Sequence, residues 1–329
     1  MFAGPAPGPY SMLLSPLRPF LAVYAVAFVA LIADLTLISR MPQGVRWTGD
    51  FAVDLVAFVA LFGLGVWLAR HGRIRAAAAA FAFASVCSVT TANLLAHLAP
   101  AYIGRHLPFF DHQLAWWDGV LGFDWNAYFR WHVEHPAFAA VARAAYLAWP
   151  YLALALVAIL AFYGQIERLA RFLIATSLSL LLVYVVAILT PSYGAYTHYG
   201  MAPSMHAGLT IQFADFRPTW DALRAGVVDI YAAEVPAGAI SFPSFHTTTV
   251  LLYVWAAWRT PARWPVFVSQ VLAFLAIPVQ GAHFFADMIA GGLIGVAAIA
   301  LSRPAVKFAE KMPLRGLAGE PRAVAMRAR

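Results

Sequence analysis

The sequence has few charged residues and almost no cysteine. Only 11% of its 329 residues are Asp, Glu, Lys or Arg and 62% are hydrophobic, a balance that excludes a soluble globular domain. The single cysteine, Cys87, excludes a disulfide framework and a zinc site of spaced cysteines. The net charge of +7 comes from scattered residues without a basic and aromatic module, so no nucleic-acid partner is predicted. The composition is that of an integral membrane protein.

Long apolar runs make up most of the chain, and each of eight runs is interpreted as a membrane helix. They cover residues 19–39, 51–69, 76–98, 138–162, 169–190, 244–258, 264–280 and 283–302. The run at 244–258 is short for a bilayer, which fits a helix whose first turn lies in a recessed polar pocket. No cleavage site follows the first run, so it is interpreted as a retained helix. The predicted fold class is an all-α, polytopic membrane helix bundle of about eight spans.

Lys and Arg residues predict the orientation, because positive charge near helix ends is retained in the cytoplasm. They occur in the tail after residue 302 and in three connections on the same side of the predicted bundle. These connections contain Arg70, Arg73 and Arg75, then Arg168 and Arg171, then Arg259 and Arg263. Both termini are therefore expected in the cytoplasm. The long connections 99–137 and 191–243 then lie outside. A multi-pass protein of the cell membrane is predicted, with its site on the periplasmic or extracellular face.

The two long connections differ in character. Residues 111–119 and 123–132 mix aromatic and charged residues at helical spacing, which predicts two short helices in the interfacial layer. The second connection starts with Pro191 and contains Gly194 and Gly200, a spacing that excludes a continuing helix. This second segment is expected to cap a pocket.

Two short polar clusters interrupt the apolar sequence, and each one begins a predicted membrane helix. The first cluster, 241–248, contains Ser244 and His246, and the second, 281–287, contains His283. The run at 244–258 crosses the membrane inward and the run at 264–280 crosses it back. Both clusters should therefore reach the same face of the membrane.

The residue types in these clusters suit attack on phosphorus. His283 and Asp287 are four residues apart, so on a helix they share one face, and the carboxylate can fix the imidazole tautomer and leave a nucleophilic nitrogen. His246 supplies a second imidazole that can protonate the departing oxygen. Ser244 follows Pro243, where a hydroxyl and the free N–H groups of a helix start can hold phosphate oxygens.

A different class of function stays open on the same residues. The helices could form a transporter or a structural membrane protein with a polar cavity, or with a metal bound by the two histidines and the aspartate together with a water or fourth ligand. The sequence shows no inverted repeat and no matched pair of broken helices, which disfavours a transporter. For the enzyme, no cofactor and no metal are predicted.

The two clusters resemble the second and third signature motifs of the type 2 phosphatidic acid phosphatase superfamily. They read Phe-Pro-Ser-Phe-His-Thr at 242–247 and His-Phe-Phe-Ala-Asp-Met-Ile-Ala-Gly-Gly at 283–292. Residues 118–125 and the Tyr193-Gly194 loop are most similar to the branch containing inositol phosphorylceramide synthase and its bacterial relatives. The resemblance covers about residues 75–302 as a six-helix core with interfacial helices near 109–133. Residues 1–74 would add a lead-in and two membrane helices, and 303–329 a basic cytoplasmic tail.

The resemblance implies an enzyme of lipid metabolism, a lipid phosphatase or a phosphotransferase such as an inositolphosphotransferase, that works through a phosphohistidine. It implies His283 as the nucleophile, Asp287 as its orienting partner and His246 as the leaving-group acid. The implied partners are a membrane lipid substrate, the lipid bilayer, and water or an alcohol or lipid acceptor.

Cations that bind phosphate in ordinary phosphatases of this superfamily are missing from their expected places. Residues 191–200 contain neither Lys nor Arg, and Ala276 and Ile277 stand where Ser-Arg is expected. The synthase-like branch also replaces or lacks these cations, so the departure fits that branch and weakens plain phosphatase activity. Arg143, Arg217, Arg224 and His198 are the possible replacements, and the sequence does not choose among them. The candidate substrate-binding residues are Ser244, Tyr193, His198, Arg143 and Arg217.

Overall fold

The structure is a computed structural model that describes residues 16–40, 49–96, 98–201, 217–225 and 240–311. Regular structure in these ranges is helical, which confirms the predicted all-α class. In chain order the helices are α1 (Leu21–Ile38), α2 (Gly49–Arg70), α3 (Ile74–Ala96), α4 (Leu98–Ile103), α5 (Asp111–Val120), α6 (Trp125–Glu134), α7 (Pro136–Leu147), α8 (Trp149–Phe162), α9 (Ile166–Leu189), α10 (Ala195–His198), α11 (Arg217–Ala225), α12 (Phe245–Ala257), α13 (Arg263–Gln280) and α14 (Phe285–Lys311).

Five of these helices are long and apolar enough to cross a bilayer, and the bent pair of α7 and α8 makes a sixth if it counts as one span. The predicted polytopic membrane bundle is therefore confirmed. The other two apolar runs form α3 and α12. The 13 residues of α12 extend about 20 Å at the rise of an α-helix, less than the ~30 Å of a hydrocarbon core. The total of eight spans stays a prediction.

The apolar run at 138–162 is divided into α7 and α8, whose axes differ by 52°. The two helices meet at Ala148, and Pro150 lies in the first turn of α8. Proline has no N–H, and its ring clashes with the preceding turn, so a straight helix does not continue through it. The bend is important for the site because Tyr146 and Trp149, on either side of it, both contact His246.

Helices α12 and α14, which begin at the two polar clusters, cross at very close range. A Cβ added to Gly291 would lie 2.1 Å from the Ser244 carbonyl oxygen. Thr248 Oγ1 donates a hydrogen bond of 2.7 Å to the Gly291 carbonyl. Gly291, in the second histidine motif, therefore lets α12 and α14 approach each other.

The arginines predicted to face the cytoplasm lie at the other end of the bundle. Arg168, in the first turn of α9, donates through Nε to the Ala256 carbonyl near the end of α12 at 3.0 Å. Arg171 donates to Ser302 Oγ, well along α14, at 3.3 Å. Both α12 and α14 start at the polar clusters, so the cationic end and the histidine end of the bundle are opposite. The assignment of these ends to cytoplasm and exterior stays a prediction.

Candidate active site

His283 and Asp287 lie together at the start of α14. His283 Nδ1 is 3.2 Å from Asp287 Oδ2, and both side chains are buried. Because a carboxylate accepts, the ring proton belongs on Nδ1 and the free lone pair on Nε2. This tautomer leaves Nε2 in the form a nucleophile requires.

The carboxylate of Asp287 is fixed by three donors on the same oxygen. Besides His283 Nδ1, the Ser241 hydroxyl and the Phe284 N–H each donate to Oδ2 at 3.0 Å. The Ser244 N–H donates to the Asp287 carbonyl at 3.1 Å. Ser241 and Ser244 belong to the first polar cluster. These bonds therefore tie the two polar clusters into one site.

His246, in the first turn of α12, faces His283 across the site. The two ring centroids are 6.2 Å apart. The His246 ring stacks on Tyr146 at 4.4 Å, and its Nδ1 lies 3.3 Å from the Tyr146 hydroxyl. Trp149 lies on its other flank at 5.4 Å. Tyr146 and Trp149 hold the ring, and the contact with the Tyr146 hydroxyl involves Nδ1 rather than Nε2.

The turn between α13 and α14 has little space and an unusual backbone. A Cβ on Gly281 would lie 2.5 Å from His283 Cδ2 and 3.1 Å from the Tyr146 hydroxyl. The next residue, Ala282, has φ of 52°, in the left-handed region that residues other than glycine rarely adopt. The turn therefore leaves no room for a side chain at position 281 near His283 and the Tyr146 hydroxyl.

Ser244 is the N-cap of α12. Its Oγ accepts from the Thr247 N–H at 3.3 Å and lies 3.2 Å from Thr247 Oγ1, and the residue is fully buried. Its carbonyl accepts from the Thr248 N–H at 3.2 Å. Capping occupies the hydroxyl as an acceptor and leaves its own proton to donate. The role of Ser244 as a phosphate ligand stays a prediction.

A family model described as PAP2 superfamily matches residues 112–301. The match covers more than half of the 329 residues and includes His246, His283 and Asp287. The chain belongs to the PAP2 superfamily. This confirms the predicted superfamily and identifies a phosphatase-like membrane enzyme that acts on a phosphoester. No curated protein and no solved structure matched in the parallel comparisons.

The PAP2 match begins inside α5, whereas the predicted core begins near residue 75. Helix α3 is thus part of the predicted six-helix core but lies outside the matched range. In the structure α3 packs against α1 and α2. The predicted division of the chain at residue 75 stays a prediction.

Two of the predicted substrate-binding residues of this PAP2 protein lie near the segment that leads out of α9. The His198 ring lies against Phe284, next to His283, with centroids 5.6 Å apart. Tyr193 stacks on Phe109 at 3.6 Å, and its hydroxyl donates to Asp221 at 3.4 Å. His198 is therefore beside the site, whereas these contacts of Tyr193 are with the outer segments.

The candidate cations also differ in placement. Arg143, on α7, has a buried Nε with no hydrogen-bond partner among the described residues. It lies one turn before Tyr146, so the two side chains share a face of α7. Arg224 lies over the Phe109 ring at 3.6 Å and donates to the Leu107 carbonyl. The side chain of Arg217 lies outside the described part of the chain.

Several residues that build this PAP2 site were not predicted as site residues. Tyr146 contacts His246, and Asp118 is a fully buried carboxylate that binds the start of α14. An acidic residue between Trp117 and an apolar stretch is a usable sequence signal, since a buried carboxylate in such a segment needs a partner. The sequence does not indicate that partner, which is the backbone N–H of Phe285, 167 residues away.

Proposed function

We propose that this protein is a lipid phosphotransferase or phosphatase that works through a covalent phosphohistidine, in the branch resembling inositol phosphorylceramide synthase. One observation carries the proposal: a histidine fixed by a carboxylate faces a second histidine, with ring centroids 6.2 Å apart. A phosphoryl group between the rings can be approached by a nucleophile at about 3 Å on one side. Its leaving oxygen can form a hydrogen bond of about 2.8 Å on the other.

In the first half-reaction, the Nε2 lone pair of His283 forms a bond to phosphorus while the bond from phosphorus to the leaving oxygen breaks. The proton on His246 Nε2 passes to that oxygen, so the lipid leaves as an alcohol. The positive charge on the phosphorylated imidazole is balanced by Asp287, which still accepts from Nδ1–H. His246 is now neutral.

In the second half-reaction, an acceptor O–H attacks the phosphohistidine. His246 takes the acceptor proton as a general base, the bond from nitrogen to phosphorus breaks, and His283 leaves as a neutral ring. Water as acceptor gives a phosphatase, and an alcohol or lipid hydroxyl gives a transferase. We favour the transferase, because the phosphate-binding cations of ordinary PAP2 phosphatases are missing at residues 191–200 and at Ala276 and Ile277.

The surroundings of the site suit a membrane lipid. Helix α5 lies at the histidine end of the bundle and exposes Trp116, Trp117 and Val120. Trp side chains favour the headgroup layer of a bilayer. A lipid whose phosphate lies at that depth reaches the histidines without leaving the membrane. On the predicted orientation this face is periplasmic or extracellular.

The function is tested by giving the purified full-length protein a membrane lipid extract in mixed micelles, with and without inositol phospholipids or diacylglycerol as acceptors. Mass spectrometry of all phosphorus-containing products should show loss of one lipid class and a new lipid phosphodiester. Free phosphate as the only product would mean a phosphatase. An unchanged extract would contradict the enzyme and favour the transporter or structural alternative.

A chelator arm in the same assay separates the metal alternative. No group of three His, Cys, Asp or Glu side chains in the described ranges has the arrangement of a metal site. We therefore expect EDTA to leave turnover unchanged. Turnover abolished by EDTA and restored by zinc or magnesium would favour the metal-binding alternative.

Arg143→Ala is expected to lower kcat/KM by about ten- to hundred-fold, because a charge-assisted hydrogen bond contributes about 1.5–3 kcal/mol and ~1.4 kcal/mol is a factor of ten. We propose that the buried, unpartnered Nε of Arg143 binds a phosphate oxygen in place of a missing PAP2 cation. Arg143→Lys keeps the charge but not the planar fork, so partial activity is expected.

The matched control is Arg130→Ala, because Arg130 is an exposed arginine on α6. Steady-state kinetics on the lipid that the extract assay identifies should show full activity for this variant. Equal kcat/KM for Arg143→Ala, Arg130→Ala and the wild type would contradict a phosphate-binding role for Arg143.

A further inference from the structure

Helix α5 carries two carboxylates on its buried face. Asp111, Leu114 and Asp118 follow a helical spacing and are all buried, whereas Trp116 and Trp117 on the other face are exposed. A buried carboxylate is costly unless it is fully hydrogen-bonded. Asp111 and Asp118 therefore need partners, and the structure supplies backbone N–H groups for both.

Asp118 binds the first turn of α14. Its Oδ2 accepts from the Phe285 N–H at 2.9 Å, and its Oδ1 accepts from the Ala286 N–H at 2.8 Å. The residue before the helix is Phe284, whose side chain has no acceptor for these groups. Asp118 thus caps, from another helix, the N-terminus that carries Asp287. Its negative charge also lies at the positive end of the helix dipole.

Phe123 and Trp125, which follow Asp118 in the sequence, contact residues at the same turn before α14. The Trp125 indole N–H donates to the His283 carbonyl at 3.0 Å. Phe123 stacks on Phe285 with ring centroids 5.1 Å apart. The segment from 118 to 125 therefore contacts residues 282–286, here called the nucleophile loop. The contacts are made by the Asp118 carboxylate, the Trp125 indole and the Phe123 ring.

Asp111, at the other end of α5, is linked to the nucleophile loop through residues 192–195. It accepts from the Ser192 hydroxyl and the Gly194 N–H at 2.9 Å each. The next N–H in that segment, of Ala195, donates to the Ala282 carbonyl at 2.8 Å. This hydrogen bond from Ala195 thus helps to hold Ala282, whose backbone is in the left-handed region.

We propose that Asp118 is a positioning residue for His283: by capping α14 from α5, it fixes the angle at which His283 and Asp287 meet the phosphorus. This inference rests on the proposed function. The hydrogen bonds of Asp118 are to the N–H groups of Phe285 and Ala286, so they act on the backbone that carries His283 and Asp287. Loosening the first turn would leave both side chains present but misaligned, and a misplacement of about 1 Å costs on the order of a hundred-fold in rate.

The test is Asp118→Asn, which keeps the shape but replaces one acceptor oxygen with an NH₂ group that faces an N–H donor. The matched control is Asp124→Asn. Asp124 is an exposed N-cap in the same segment, and it accepts from the Ala127 N–H at 2.9 Å. Both full-length variants and the wild type are mixed rapidly with the membrane lipid extract in micelles, quenched in base, and assayed by mass spectrometry for phosphorus bound to His283.

A single-turnover rate constant does not depend on the fraction of folded molecules, whereas the amplitude does. We expect the rate constant of Asp118→Asn for adduct formation to fall about ten- to hundred-fold, while the fraction of folded protein stays that of the wild type. Asp124→Asn should match the wild type in both. A loss of amplitude at an unchanged rate constant would mean a purely structural role and would overturn the proposal.

Three further outcomes are distinct. If Asp118→Asn does not fold, Asp118→Ser keeps one oxygen acceptor and is measured in the same way, and a rate constant equal to the wild type would overturn the positioning role. A wild type that forms no adduct on His283 would overturn the phosphohistidine itself. An active wild type with a normal Asp118→Asn rate constant would overturn the positioning role alone.

Discussion

His283→Ala is expected to abolish turnover of the lipid substrate. The variant has no nitrogen to attack phosphorus, and the next imidazole, His246, is held by Tyr146 and Trp149 on a different helix. Loss of a covalent nucleophile removes the whole two-step route rather than weakening one contact. The measurement is product formation from the lipid extract by mass spectrometry, together with the absence of phosphorus bound at position 283.

Asp287→Asn is expected to reduce turnover by about 10³- to 10⁴-fold, on the scale known for carboxylates that orient a catalytic histidine. The asparagine amide can turn its NH₂ toward Nδ1 and so favour the tautomer with a proton on Nε2, which has no lone pair for attack. The ring would remain in place, because Trp125 still holds the His283 carbonyl. Substrate binding should change little, so the loss should appear in kcat.

The control for both variants is His135→Ala. His135 is an exposed histidine that follows α6, and its Nδ1 lies 2.7 Å from the Trp131 carbonyl. It should retain full activity. Turnover by His283→Ala equal to that of His135→Ala would contradict the nucleophile assignment.

The helices and the pairing of the histidine clusters could be predicted because the bilayer imposes simple rules. A segment in hydrocarbon must satisfy its backbone internally, so long apolar runs are helices. The four-residue spacing predicts a contact between His283 and Asp287 on one helix face; the side chains are 3.2 Å apart, although His283 precedes α14, which begins at Phe285. The short run at 244–258 likewise became the short helix α12.

Other features depend on contacts between distant residues. Hydrophobicity shows the run at 138–162 as continuous, and only Pro150 within it indicates the bend. The cap of α14 by Asp118 joins residues 167 and 168 positions apart, and no local pattern encodes such a pair. Tyr146 resembles any interfacial tyrosine in sequence, although it lies against His246.

The interfacial helices α5 and α6 combine a feature that the sequence predicts with contacts that it does not. Their existence followed from mixed aromatic and charged residues, and α5 and α6 are helical as predicted. Their exposed tryptophans suit the headgroup layer, whereas the buried face of α5 makes the contacts with the site. An amphipathic pattern tells which residues share a face; it does not tell which backbone that face will meet.

His246→Ala is expected to lower turnover of the natural lipid by about 10²- to 10⁴-fold, the range of general acid–base catalysis. Without this acid the lipid would have to leave as an alkoxide, a strong base that needs a proton as its bond to phosphorus breaks. A p-nitrophenyl phosphoester releases p-nitrophenolate, a weak base that needs no such proton. The variant should therefore keep much more of its activity on the p-nitrophenyl ester than on the lipid, unlike His283→Ala, which should be inactive on both.

The matched control for this selectivity is Tyr146→Phe, which removes the hydroxyl 3.3 Å from His246 Nδ1 but keeps the stacked ring. It should lose less activity than His246→Ala and shift the preference in the same direction, since the imidazole is present but less well held. Initial rates on both substrates, compared as ratios, remove differences in the amount of active protein. Equal losses on the lipid and on the p-nitrophenyl ester for His246→Ala would contradict the acid role, because a group that only shapes the pocket has no reason to distinguish the two leaving groups.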